Sequence, residues 1–228
     1  MGATVCEAVS ADSELELVGG IDAGDSLEAL NDAEVVVDFT VAAAARQNLP
    51  WLAERGIHAV VGTSGLGDND LASLRQAFVR SNCVVAPNFA IGAVLMMRFA
   101  ELAAPWFDTA EVIELHHDEK IDAPSGTALA TAQRMAAASS HWAPDPTQRE
   151  VVAGSRGGVG PGNIHLHSVR MRGMVASQEV ILGTAGQTLT VRHDSIDRGS
   201  FMPGVVVACK KVGQFPGLTV GLDALLGV

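Results

Sequence analysis

Short β-branched runs alternate with longer stretches of three-four apolar spacing over the first ninety residues. Leu15–Ile21, Val35–Phe39, His58–Val61 and Cys83–Ala86 carry the strand pattern. Ala3–Ser10 reads as an opening helix. Val41–Arg55 and Asp68–Arg80 read as further helices, the second with Leu71, Leu74 and Phe78 on one face. Strands separated by helices of about ten to fifteen residues predict βαβ units and a parallel sheet.

After Pro87 the pattern changes. An apolar helix over Ile91–Phe107 leads to a strand at Glu111–Leu115, a loop, and a helix over Ser125–Ala138. Ser139–Gly162 is rich in Pro and Gly and predicts a loop excursion. Ile164–Arg172, Gln178–Thr184 and Gln187–His193 then alternate like strands with no helix between them. They predict an antiparallel meander within an open mixed sheet. A helix at Phe201–Lys211 and a strand at Leu218–Val220 end the chain. The fold class is α/β: a Rossmann-like nucleotide half and an α+β half, with the allegiance of the tail left open.

Of the 228 residues 48% are hydrophobic and 18% charged, which provides for a substantial core and excludes wholesale disorder. A formal charge of −11 argues against a nucleic-acid partner, because phosphate backbones demand a basic face. The first basic residue, Arg46, follows ten acids, so the start is not a basic targeting segment. No apolar run reaches the roughly 18 residues of a membrane span. Cys6, Cys83 and Cys209 lie far apart and outside CxxC spacing, which points to reduced thiols and a cytoplasmic chain.

A dinucleotide-binding domain normally opens with a strand and a GxGxxG turn, followed about 20 residues later by an acid. If Gly2 is the last glycine of such a turn, Asp22 stands where the ribose-binding acid belongs. The preceding strand and the earlier glycines then have no counterpart in this sequence, and with them goes the main pyrophosphate anchor.

The stretch from Glu114 to Ala128 carries the most chemistry. His116 and His117 end a strand, so their side chains point to opposite sides and one of them faces a given cleft. Lys120, one of three lysines against twelve arginines, follows in the loop. Ser125 suits an N-cap, and the turn after it (Gly126, Thr127, Ala128) holds no acid, leaving free N–H groups and the positive end of the helix dipole as an anion site. A histidine, a lysine and a bare helix start within a dozen residues fit a small carboxylate substrate that needs proton transfer. The alternatives are a structural His-His pair, or zinc held by His116, His117, His165, His167 and His193. No HExxH or Cys-His spacing supports the zinc, and His165 and His167 fit one face of a strand.

The run HHDEKIDAPSGTA (His116–Ala128) closely resembles the HHxxKxDAPSGTA signature of the 4-hydroxy-tetrahydrodipicolinate reductase (dihydrodipicolinate reductase) family of lysine and diaminopimelate biosynthesis. VVVDFT (Val35–Thr40), HAVVGTSG (His58–Gly65), VAPNFAIGA (Val85–Ala93), HSVR (His167–Arg170) and HDSIDRGSFMPG (His193–Gly204) resemble the same family, in its order. The resemblance covers essentially the whole chain.

That resemblance implies hydride transfer from NADH or NADPH to a cyclic dicarboxylate. His116 would be the general acid and Lys120 its assisting proton donor. His117 would touch the substrate, and the Ser125-Gly126-Thr127 backbone would hold a carboxylate. Gly62, Thr63 and Ser64, with Ala86, Pro87, Asn88 and Phe89, would line the nicotinamide half of the cofactor. Gly2 would belong to the glycine turn, and Asp22 would sit at the adenosine ribose, where an acid favours NAD over NADP. His193 and Arg198 match family positions and are read as either supporting or structural. Residues 1–90 and 200–228 would form the dinucleotide-binding domain, and 91–199 the substrate-binding domain, whose sheet builds a homotetramer. Hinge closure would exclude water from the reaction. The departure at the amino end keeps open the alternative of a catalytically impaired dicarboxylate-binding relic or a truncated version of the same enzyme.

Overall fold

A computed structural model describes all of residues 1–228. The chain divides into two compact units, Met1–Ile91 with Arg198–Val228, and Gly92–Asp197.

The first unit holds a four-stranded, all-parallel sheet made of β1 (Val35–Asp38), β2 (His58–Val61), β3 (Cys83–Val85) and, at the far edge, Leu218–Val220 from the tail. Its inner strands are buried on both faces, so they read as unbroken β-branched runs without polar alternation. The connections are α2 (Ala42–Arg55) and α3 (Asp68–Ala77). Ala45, Leu49 and Leu52 of α2 and Leu74 of α3 pack with Phe78 onto Ala59, Val61 and Cys83. Gly56 ends α2 at φ 74°, a left-handed conformation that lets the chain turn straight into β2. The opening helix α1 (Gly2–Ala11) pairs with the helix Met202–Lys211, and Lys210 bridges them by bonding Asp12 and Glu14.

Leu15–Ile21 is not a strand. It is irregular coil, with Leu17 and Val18 exposed. The alternation of apolar residues is present, but the ladder needs a neighbour, and β1 is an edge strand bonded to β2 alone. Asp22 therefore closes no strand and sits in a turn.

The second unit begins with α4 (Ile91–Ala103) and a 3-10 turn at Ala104–Trp106, so Phe107 lies past the helix. Then come β4 (Thr109–His116), α5 (Gly126–Ala138), β5 (Gly158–Val159), β6 (His165–Arg170), β7 (Ala176–Thr184) and β8 (Gln187–Ser195). The sheet order is β5-β6-β4-β7-β8, with β4 and β6 parallel and every other pair antiparallel. The sheet is mixed, as expected, but the last three strands are not a meander. Only β7 and β8 form a hairpin, because β4 inserts between β6 and β7 and takes the hydrogen-bonding edge of each. The tail strand, here β9 (Leu218–Val220), pairs with β3 and so belongs to the first unit.

On β4 the period of two sends Ala110, Val112, Glu114 and His116 to one face. Helix α5 covers this face through Ala128, Ala132 and Met135, with Leu166, Val180 and Leu182 completing the core. Ile113, Leu115 and Ile181 point to the other face and are half-buried. No helix in either unit is long and apolar enough to cross a membrane.

Candidate active site

Near its carboxyl end β4 carries one buried carboxylate. Glu114 has no exposed side-chain surface. Its Oε1 accepts the Ser125 backbone N–H at 3.2 Å and an Arg170 N–H at 2.8 Å. Its Oε2 accepts a second Arg170 N–H at 2.8 Å and bonds His116 Nδ1 at 2.5 Å. The Ser168 hydroxyl also bonds this carboxyl. The strand register explains the set: Ser168 lies opposite Glu114, and Arg170 opposite His116, on the neighbouring parallel strand.

Arg170 does more than neutralise Glu114. Its remaining donors reach the Lys120 carbonyl at 3.3 Å and the Asp122 carbonyl at 2.6 Å, which pins the loop between β4 and α5. Lys120 Nζ in turn bonds Asp122 at 2.7 Å. Burial pushes the Glu114 carboxyl up, but the hydrogen bonds from Arg170, Ser168 and His116 outweigh it and hold it below the ordinary carboxylate value. Burial pushes the His116 imidazole below its ordinary value. The Glu114 bond and charge oppose that, and the positive charges of Lys120 and Arg170 add to it.

Helix α5 starts as its sequence predicts. The Ser125 hydroxyl accepts the Ala128 N–H at 3.1 Å, and the first turn holds no acid. Gly126 is exposed and Thr127 half-buried, next to the carboxylate that anchors Ser125. His116, Lys120, Ser125, Gly126 and Thr127 thus gather around one end of α5. His117 lies one residue past the strand and is exposed. His193 packs against Gly92, where a methyl group would lie 2.4 Å from the ring. His165 and His167 share a sheet face, as their spacing predicts, and face acids: His165 Nε2 is 3.2 Å from Asp145 and His167 Nε2 is 2.7 Å from Glu111, with Arg156 bridging both acids.

In the first unit, the loops after β1, β2 and β3 gather at the carboxyl end of the parallel sheet, where open α/β sheets receive ligands. Buried Asp38 ties the first two loops together: its Oδ1 accepts the Thr63 hydroxyl at 2.6 Å and the Thr40 hydroxyl at 2.7 Å, and Oδ2 accepts the Asn48 amide of α2 at 3.1 Å. The Phe39 and Phe89 rings stand 5.5 Å apart. Gly62 is required, since any Cβ there would lie 2.1 Å from the Phe39 ring. The loop that starts at Gly62 thus reaches the Phe39 ring, which in turn packs on Phe89 of the loop after β3. Gly2 is the first residue of α1, whose N-terminal turn has neither an acid nor a side-chain cap. Asp22 is exposed, its carboxylate bonding the Ala23 N–H at 2.7 Å.

Sequence reasoning passed over Glu114 and the pairing role of Arg170. One signal for Glu114 was available: a carboxylate two positions before a histidine on an otherwise apolar strand face.

A Rossmann-like sheet with its loops at the carboxyl end, and a mixed sheet carrying a carboxylate–histidine pair beside a bare helix start, define a two-unit α/β enzyme with a nucleotide-binding half. Residues 1–89 match the family described as dihydrodipicolinate reductase, N-terminus, and residues 92–226 match dihydrodipicolinate reductase, C-terminus. The chain belongs to the dihydrodipicolinate reductase family. It is 49% identical over 231 residues to a 4-hydroxy-tetrahydrodipicolinate reductase of Mycolicibacterium vanbaalenii, covering 99% of this chain and 94% of that protein. It is 48% identical to the one of Cutibacterium acnes, covering 100% and 95%. Among solved structures it resembles a dipicolinate-bound dihydrodipicolinate reductase from Paenisporosarcina sp. TG-14, with a TM-score of 0.87, 37% identity, and coverage of 98% of this chain and 94% of that one.

Proposed function

We propose that the chain reduces 4-hydroxy-tetrahydrodipicolinate to tetrahydrodipicolinate, with NADH or NADPH as reductant and release of one water. The observation that carries this reading is the His116–Glu114–Arg170 cluster at the start of α5, within a chain that matches the family along its length.

Each residue has a separate task. The backbone N–H groups of Ser125, Gly126 and Thr127 suit one substrate carboxylate, with the helix dipole adding to the attraction. Lys120 and exposed His117 serve the substrate from the loop, Lys120 as a second cation and proton donor. His116 passes a proton from Nε2 to the ring carbon beside the one that gains hydride, while Nδ1 stays on Glu114. A bound dianion beside His116 favours the imidazolium, which offsets the lowering that burial imposes in the free enzyme.

The cofactor supplies the hydride when bound. The residues fit a dinucleotide: Gly62, Thr63, Ser64 and Ala86–Phe89 line the carboxyl end of the sheet, and the first turn of α1 at Gly2 presents uncapped N–H groups to a diphosphate. Asp22 at a ribose would favour NADH by repelling a 2′-phosphate. On this reading the first unit is the dinucleotide-binding domain and the second the substrate-binding domain. We place the enzyme in the cytoplasm as a homotetramer formed through the mixed-sheet face that carries Ile113, Leu115 and Ile181.

The test is steady-state NADH oxidation by the purified 228-residue chain with freshly generated 4-hydroxy-tetrahydrodipicolinate. Turnover that depends on the dicarboxylate supports the reading, and its absence with both coenzymes refutes it.

A further inference from the structure

We propose that Glu114 is the positioning residue of the proton-transfer site. Its carboxylate sets the His116 ring with Nδ1–H turned inward and Nε2 left for chemistry, and through Arg170 it holds the Lys120 loop in the matching place. The inference rests on the activity proposed above and names how its acid is set.

A fully buried carboxylate, set opposite Ser168 and Gln178 on the two neighbouring strands, is costly unless its lone pairs are engaged. One bidentate arginine would meet that need. Glu114 has in addition His116 Nδ1, the Ser125 N–H and the Ser168 hydroxyl. An ionised carboxylate only accepts, so the nitrogen it bonds must carry the proton, and the neutral ring is held as the Nδ1–H tautomer. The same two oxygens hold the first residue of the helix cap, and Arg170 extends the hold to the Lys120 and Asp122 carbonyls. Three groups that must face one small substrate are therefore referred to a single anchor. Two residues of separation on one strand face set the reach from Glu114 to His116, and the parallel register with β6 sets the reach to Arg170.

The charged groups around His116 are Glu114 on its own strand, Arg170 from β6, and Lys120 with Asp122 from the loop. Glu114 favours the imidazolium, and the two cations oppose it. Replacing Glu114 with Gln removes the favourable charge and leaves the opposing ones. The free-enzyme limb of kcat/KM governed by His116 should then move to lower pH. The kcat should fall by up to about 10⁴-fold, the loss seen when a catalytic histidine loses its orienting carboxylate. The KM for the coenzyme should not change.

Two measurements test this. In uniformly 15N-labelled wild-type protein without substrate, long-range imidazole correlations, assigned with a His116→Gln sample, should show the Nδ1–H tautomer at a pH where His116 is neutral. An Nε2–H tautomer overturns the proposal, and this result does not depend on any Glu114 variant folding. In the second, Glu114→Gln and Glu114→Asp are assayed beside wild type. A pH limb moved downward in Glu114→Gln, with kcat partly restored in Glu114→Asp, supports positioning. An active wild type whose Glu114→Gln variant keeps both kcat and limb refutes the positioning role alone, whereas a wild type without turnover refutes the activity.

Discussion

Gly204 lies against the Phe89 carbonyl so closely that a methyl group on it would sit 2.0 Å from that oxygen. The first turn of α6 (Met202–Lys211) thus packs directly on the backbone of the loop that follows β3. The neighbour is main chain and cannot swing aside, so Gly204→Ala must push the 86–89 loop or the helix. We expect a stability loss of about 1–3 kcal/mol, the usual cost of overpacking, and a KM for NADH raised several-fold. Thermal unfolding and coenzyme titration check this, and an unchanged KM would show that the loop does not contact the coenzyme.

His116→Ala removes the proposed proton donor and leaves the Ser125–Thr127 backbone in place. The kcat should fall by roughly 10²–10⁴-fold, while a non-reacting cyclic dicarboxylate analogue of the substrate should still bind. Steady-state kinetics and calorimetric titration separate the two effects. A variant with wild-type kcat excludes His116 as the acid.

The pH dependence has a definite sign. His116 lies below the ordinary histidine value because burial disfavours its charged form, so the imidazolium of the free enzyme is lost at lower pH than for an exposed histidine. If the imidazolium is the acid, kcat/KM falls as pH rises through that value. A bound dianion raises the same pKa, so the falling limb of kcat should lie at higher pH than that of kcat/KM. Coincident limbs would mean that the substrate carboxylates do not approach His116.

Thiol labelling reports on the first unit. Burial pushes the Cys83 thiol up to about 12 and the Cys209 thiol up to about 11, while Cys6 is half-buried on α1. A thiolate-directed reagent at pH 8 should modify Cys6 alone in the native chain and all three cysteines after unfolding. Fast native labelling of Cys83 would contradict the packing of β3.

Local features of this chain were legible along the sequence. Ser125 caps its helix, and the helix read over Val41–Arg55 ends at Arg55, because capping and helix ends depend on neighbours within a turn. His58–Val61 and Cys83–Val85 were readable as buried parallel strands because burial on both faces leaves no polar alternation. Leu15–Ile21 misleads for the converse reason, since its alternation describes a strand whose existence depends on a partner elsewhere. The supposed meander fails in the same way, because nothing within residues 164–193 announces that β4, some fifty residues upstream, will come between two of its strands.

The site divides along the same line. The order of residues from His116 to Thr127 already places histidine, lysine and helix start within one loop, since chain connectivity limits how far apart they can lie. Glu114 shows in that order only as an acid among apolar neighbours. Its partner Arg170 is 56 residues away, and their meeting depends on β6 pairing with β4 in parallel at one register. A shift of one residue would turn Arg170 to the opposite face and leave the carboxylate buried without its counter-charge. Local pattern thus supplies the chemical groups, and long-range strand pairing, which no short window encodes, aligns them.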